Sequence, residues 1–186
     1  YSINHDIIVI DNQDYPILEL QPKEKSQGTL IFLVSNMTDE IRLYLRPAVN
    51  AGYKVKAIQM DLGLVGLKNG LKLLPHILSQ ESNAYLVGAE TEESILALAI
   101  ATRLSTSSLS GVVVHNIPYE WPFEELSPKL LVSKLRIPLF LLQNKKHMHE
   151  GKLLAKVCNE NNISIHFEIL DHNEHGINQF LTRMNP

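Results

Sequence analysis

The chain has 186 residues, 45% hydrophobic and 20% charged, enough for one domain with a substantial core. A formal net charge of −3 and the lack of any long Lys/Arg run give no basis for sequence-independent attraction to nucleic acid or anionic membrane. A single cysteine, Cys158, excludes an internal disulfide and any multi-cysteine metal or iron–sulfur centre. No apolar run approaches the roughly 20 residues that cross a bilayer. Tyr1 stands where Met would open a chain, so an upstream segment is expected, and any signal peptide or anchor would lie there.

In chain order, Ile7 to Ile10 and Tyr15 to Leu20 read as two strands around the turn-rich Asp11-Asn12-Gln13-Asp14. Their short connection predicts an antiparallel hairpin at a sheet edge. Gln21 to Gly28 is a polar link into Thr29 to Val34, a continuous apolar run of the kind buried on both faces of a sheet. Thr38, Asp39 and Glu40 open a helix with Ile41, Leu45, Ala48 and Val49 along one stripe, and Gly52 stops it. Tyr53 to Met60 alternates as a strand, and Leu62 to Gly70 reads as a glycine-punctuated loop. Leu71 to Leu78 is a helix whose extent Pro75 limits. Ala84 to Val87 is a strand, and Thr91 to Leu104 a helix apolar almost all round, which suits burial at the centre of a domain.

Val112 to Val114 is a strand. Asn116 to Ser133 is a proline-rich excursion with Trp121 and one short helix. Ile137 to Leu142 and Ile163 to Leu170 are strands around a helix over Glu150 to Asn161, and Glu174 to Arg183 closes the sequence as a helix. No repeat, low-complexity tract or boundary interrupts residues 1–186, so a single domain is predicted. The alternation predicts a mostly parallel sheet with helices on both faces, and sites in the loops beyond the carboxyl ends of the strands.

Three stretches in this order carry a family resemblance. Tyr85-Leu86-Val87-Gly88-Ala89-Glu90-Thr91-Glu92 is a strand, a turn and a buried helix. Ile137-Pro138-Leu139-Phe140-Leu141-Leu142-Gln143-Asn144-Lys145-Lys146-His147 is a proline-led strand with a polar end. Leu170-Asp171-His172-Asn173-Glu174-His175-Gly176 places a His-Gly pair after the last strand. Over roughly Thr29 to Leu181 the chain resembles the α/β-hydrolase superfamily, and most of all its short, lidless, uncharacterised bacterial branch. The resemblance implies a three-layer α/β/α sandwich with an N-terminal antiparallel hairpin. It puts the Gly-x-Ser-x-Gly elbow at Gly88 to Glu92, the catalytic acid at His147 and the general base at His175. Members of that branch are often exported, which implies a periplasmic location.

The residues at those positions do not make a serine hydrolase. Glu90 takes the nucleophile's place and Glu92 that of the second glycine, whereas a strained elbow needs small neighbours. Glu90 has two readings: a carboxylate nucleophile, or part of an acidic first turn, Glu90 to Glu93, favoured by the helix dipole. His147 cannot orient an imidazole as a buried carboxylate does. Ser35-Asn36-Met37, after Val34, lacks the His-Gly pair that often shapes an oxyanion hole, so Ser35 and Asn36 mark that loop only by position. Ser94 and Cys158 read as packing residues and His166 as a sheet-face residue. Trp121 and Phe123 either shield a cleft or fold back as a hydrophobic plug.

A second reading gathers His147, His149, His172 and His175, with Glu150, Asp171 and Glu174, on one rim where neighbouring strands would let a metal bind. No His-Glu-x-x-His spacing supports it, and solvated polar loops explain the same residues. The reading favoured by the sequence is a non-catalytic hydrolase-like domain that binds or assembles, with no cofactor and no nucleic acid. A protein is one possible partner. The alternative is an esterase-like hydrolase with a site rebuilt on Glu90 and His175 or on metal.

Overall fold

A computed structural model describes residues 1–104, 109–171 and 176–184. Eight strands form one sheet: β1 (Ser2–Ile10), β2 (Gln13–Gln21), β3 (Thr29–Val34), β4 (Lys54–Gln59), β5 (Ala84–Gly88), β6 (Leu109–His115), β7 (Leu139–Asn144) and β8 (Ile165–Leu170). Their spatial order is β1-β2-β4-β3-β5-β6-β7-β8. β1 and β2 form the predicted hairpin, β2 runs antiparallel to β4, and every other neighbouring pair is parallel. The hairpin turns through Asp11 and Asn12, both at positive φ (53° and 62°), as a two-residue I′ turn requires.

Among the described residues six helices cover the sheet: α1 (Asp39–Asn50), α2 (Gly63–Leu78), α3 (Thr91–Ala101), α4 (Pro128–Val132), α5 (Met148–Glu160) and α6 (Gly176–Met184). The apolar runs explain two cores. Along β3, Ile31 and Leu33 face a core closed by α2 to α5, while Leu30, Phe32 and Val34 face one closed by α1 and α6. Period-two alternation in a strand buried on both sides produces that split. From Glu93 to Ala101 every residue of α3 is buried, which accounts for its lack of a polar face. Cys158 is buried in the first core and His166 stacks on Phe140, as the sequence implied.

One expectation fails. Residues 63–70 are helix rather than loop, and Pro75 lies inside α2 without ending it. The glycines there are contact points, not punctuation. A Cβ on Gly66 would lie 1.9 Å from the Asp61 carbonyl oxygen, and one on Gly70 would lie 2.4 Å from Ile100 Cδ1. Glycine thus lets α2 approach α3, and burial of Leu73, Leu74, Ile77 and Leu78 offsets the poor helix propensity. Among the described residues no helix is long and apolar enough to cross a membrane.

Candidate functional site

The chain leaves β3 toward β4 on one side and then crosses to β5 on the other. The carboxyl ends of β3 and β5 therefore diverge and leave a crevice, where open α/β sheets take ligands. A cleft of about 590 Å³ lies there. Its walls come from Val34, Ser35, Asn36 and Thr38, from Glu40, Ile41, Leu43, Tyr44 and Pro47 of α1, and from Ala89, Glu90 and Glu93. The structure thus brings together Ser35, Asn36 and Glu90, three of the residues singled out in the sequence.

Glu90 is the N-cap of α3, and its carbonyl accepts from the Ser94 N–H at 2.8 Å. Its φ of −127° and ψ of −174° are ordinary extended values. The backbone at Glu90 is therefore relaxed, unlike the strained turn that thrusts a serine forward in an elbow. Glu90 is an exposed residue, but partial burial of its carboxyl at the cleft raises its pKa above the ordinary carboxylate value, and the neighbouring Glu93 adds to the shift. The Tyr44 hydroxyl is likewise raised, by burial and then by the charge of Glu90.

In the sequence Glu93 is simply one acid of a first turn, yet it shapes the site. It is 6% exposed, and its Oε1 accepts from the Ser35 N–H at 3.2 Å. That amide is thus occupied by a carboxylate. The available signal was spacing: Glu93 lies three residues after Glu90, where a helix returns to the same side.

Beneath the cleft, Gly88 holds α3 against β5. A Cβ there would sit 2.1 Å from Ser94 Cα. Ser94 Oγ donates to the Gly88 carbonyl at 3.2 Å and accepts from the His115 N–H at 2.8 Å. His115, buried at the end of β6, places Nδ1 at 2.8 Å from the same carbonyl. A carbonyl only accepts, so Nδ1 carries the proton and the neutral ring's Nε2 has no hydrogen-bond partner among the described residues. Burial lowers the His115 pKa to about 4, and the bond to Gly88 offsets only part of that.

His147 does not line this cleft. His147 ends a 3₁₀ turn after β7, with Nδ1 3.9 Å from Glu150 Oε1, and its N–H donates to Asn144 Oδ1 at 3.2 Å. Buried Gln143 binds both backbone groups of Ile117 and also donates to the His147 carbonyl. Asn116, at positive φ, accepts from the Asn144 N–H and so ties the two loops together. No hydrogen bond or ion pair among the described residues joins His147 to Glu90. His149 is exposed. His172, Glu174 and His175 lie outside the described residues, so the base position and half of the histidine rim have no structural account. Among the described residues no three His, Cys, Asp or Glu side chains are grouped to hold a metal.

Trp121 and Phe123 do not cover the cleft. They line a separate groove of about 290 Å³ with Leu62, Glu92, Ile95 and Leu126. Trp121 packs on the first core while Phe123 is 53% exposed, so the excursion is in part the hydrophobic plug expected as one reading.

No protein-family model matches the sequence, and no curated protein matches it. Solved structures do match in shape. Esterase Est22 superposes with a TM-score of 0.79 at 12% identity, over 98% of this chain and 79% of its own. The hyperthermophilic esterase from the archaeon Pyrobaculum calidifontis gives 0.75 at 11%, over 97% and 80%. The acylaminoacyl peptidase of Pyrococcus horikoshii gives 0.71 at 12%, over 97% of this chain but only 39% of the peptidase. With eight strands in this order, an antiparallel edge hairpin and these neighbours, the chain has the α/β-hydrolase fold.

Proposed function

We propose that this chain is a non-catalytic binding module on a hydrolase fold, with the cleft at the ends of β3 and β5 as its ligand site. The relaxed backbone at Glu90 carries the reading. A covalent mechanism needs a forward nucleophile and free oxyanion donors, whereas here the nucleophile position is an ordinary helix cap and the Ser35 amide serves Glu93. The esterases and the peptidase that share the fold are named for hydrolysis, and at this identity their activity does not transfer. A periplasmic setting belongs to the same proposal and is tested by cell fractionation.

A second reading has one observation in its favour. The raised Glu90 carboxyl beside Glu93 resembles the paired carboxylates that divide acid and base roles, so a rebuilt hydrolase site is its rival. A panel of carboxyl esters and phosphoesters, with and without added zinc, separates the two. The binding-module reading expects rates equal to buffer in every case. Saturable turnover that Glu90→Gln abolishes would replace it with the rebuilt hydrolase.

A further inference from the structure

The aromatic excursion after β6 takes no part in the cleft at β3 and β5. Its Trp121, Phe123 and Leu126, with Leu62 before α2 and Ile95 and Leu96 of α3, enclose about 290 Å³. That volume lies below the roughly 300–1,000 Å³ of small-molecule sites and suits one protruding side chain. The 3₁₀ turn Glu124–Leu126 touches both α2 and α3, and Trp121 packs on the first core, so the walls are anchored on regular elements.

Apolar surface continues outside the groove. Phe123 is 53% exposed, and Leu64 and Val65, directly after the groove-lining Gly63, are 42% and 59% exposed. Bulky apolar side chains gathered around a pocket mark protein contact surfaces, where one anchor fills the pocket and its surroundings exclude water.

The rim selects the partner. Glu92 lines the groove, Glu124 and Glu125 precede Leu126 in its turn, and all three are exposed. None of them forms an ion pair among the described residues. The neighbouring cations are engaged elsewhere. Lys129 pairs with Glu120, Arg103 donates to the carbonyls of Ala99 and Glu125, and Lys72 of α2 pairs with Asp11 in the hairpin turn. An acidic segment would meet like charge at this rim, whereas Lys or Arg beside the anchor would meet open carboxylates. A second copy of the chain is a poor match, because a two-fold pairing of this face would set its carboxylates against their own kind.

We infer that this groove docks a segment of another protein in which a bulky apolar side chain is flanked by Lys or Arg. The side chain enters between Trp121, Phe123 and Ile95, and the cations lie on Glu92 and Glu124. The surface is separate from the cleft, so the fate of the cleft reading leaves this one untouched.

Trp121 is the one tryptophan of the chain, and its emission reports on the groove without a label. The folded chain is titrated at neutral pH and low salt with three blocked peptides: acetyl-Lys-Lys-Leu-Phe-Lys-Lys-amide, acetyl-Glu-Glu-Leu-Phe-Glu-Glu-amide and acetyl-Lys-Lys-Gly-Gly-Lys-Lys-amide. The first should shift the emission saturably below about 1 mM. The acidic peptide should bind at least about tenfold more weakly, and the glycine peptide should leave the emission unchanged. Phe123→Ser, at a side chain already half exposed, should weaken the first peptide about tenfold. Glu92→Gln combined with Glu124→Gln should weaken it about fivefold at low salt and hardly at all at about 1 M. This exposed pair is the informative variant if Phe123→Ser fails to fold, and Glu160→Gln, on α5, should change nothing. The inference is overturned by no saturable shift at about 1 mM, or by the acidic or glycine peptide binding as tightly as the first. Affinity indifferent to Phe123→Ser or to the paired Gln substitutions overturns it too. So does self-association that Phe123→Ser abolishes, which would assign the face to a second copy.

Discussion

His115 should make the fold acid-sensitive in a window set by its own pKa. The ring is 5% exposed, donates from Nδ1 to Gly88, and has no partner for Nε2 among the described residues; a Cβ added to Gly176 would meet that atom at 2.6 Å. A second proton would create an N–H on Nε2 with no acceptor. In the unfolded chain the same ring titrates near 6.5; in the folded chain it titrates near 4. Between those values the unfolded chain binds a proton that the native chain refuses, so stability is complete above pH 6.5 and drains away as the pH falls toward 4. At 1.36 kcal/mol per unit this amounts to about 3 kcal/mol. The assay is urea unfolding of the wild type and His115→Asn from neutral pH to pH 4. Asn keeps a donor near Gly88 and cannot titrate. It will lower stability at neutral pH by the lost ring, but the gap between the two proteins should shrink by about 3 kcal/mol on acidification. Contributions from other histidines and carboxylates cancel in that difference. A gap constant across the range would refute a buried, neutral His115.

Three further outcomes follow from the packing. Gly88→Ala forces a Cβ to 2.1 Å from Ser94 Cα, backbone against backbone; a loss of about 3 kcal/mol or failure to fold is expected, and an unchanged urea midpoint would contradict the tight β5–α3 junction. Gly176→Ala clashes with the His115 ring at 2.6 Å, so its cost should fall in a His115→Ala background, and additive costs in the double-mutant cycle would deny the contact. At the opposite end of the sheet, Glu81 takes hydrogen bonds from Lys54 and Thr29 and pairs with Lys56 at 2.7 Å. Burial alone would raise its carboxyl, but Lys56, Lys54 and Thr29 hold it below the usual range. Its contribution is therefore present above its ordinary pKa of 4.5 and lost below it. Glu81→Gln leaves Lys54 and Lys56 with Glu19 alone, at 3.6 and 3.4 Å, and should cost about 1–2 kcal/mol by denaturant unfolding; a change within error would show the network to be solvated.

The order of strands and helices was legible because burial on two faces leaves unbroken runs such as Thr29 to Val34, and because α3 has no polar side. The first half of α2 was not. Gly66 and Gly70 read as breaks, whereas only a missing Cβ lets that helix lie against Ile100 and Leu96. At the site, position in the fold identified Glu90 and Ser35. Burial decided the rest, and burial is a property of the packed chain. Glu93 looked like one more solvated acid of a first turn until the β3–α1 loop closed over it. His115 ends a valine run that read simply as strand, and its role depends on Gly88, Ser94 and Gly176 arriving from three other elements.

The proposed function holds that Glu90, at the N-cap position of α3, attacks nothing. Initial rates of p-nitrophenyl butyrate cleavage by the wild type and by Glu90→Gln test it most directly. Both should match the protein-free rate at every substrate concentration. A hyperbolic wild-type rate that disappears with the Glu90 carboxylate would contradict the account.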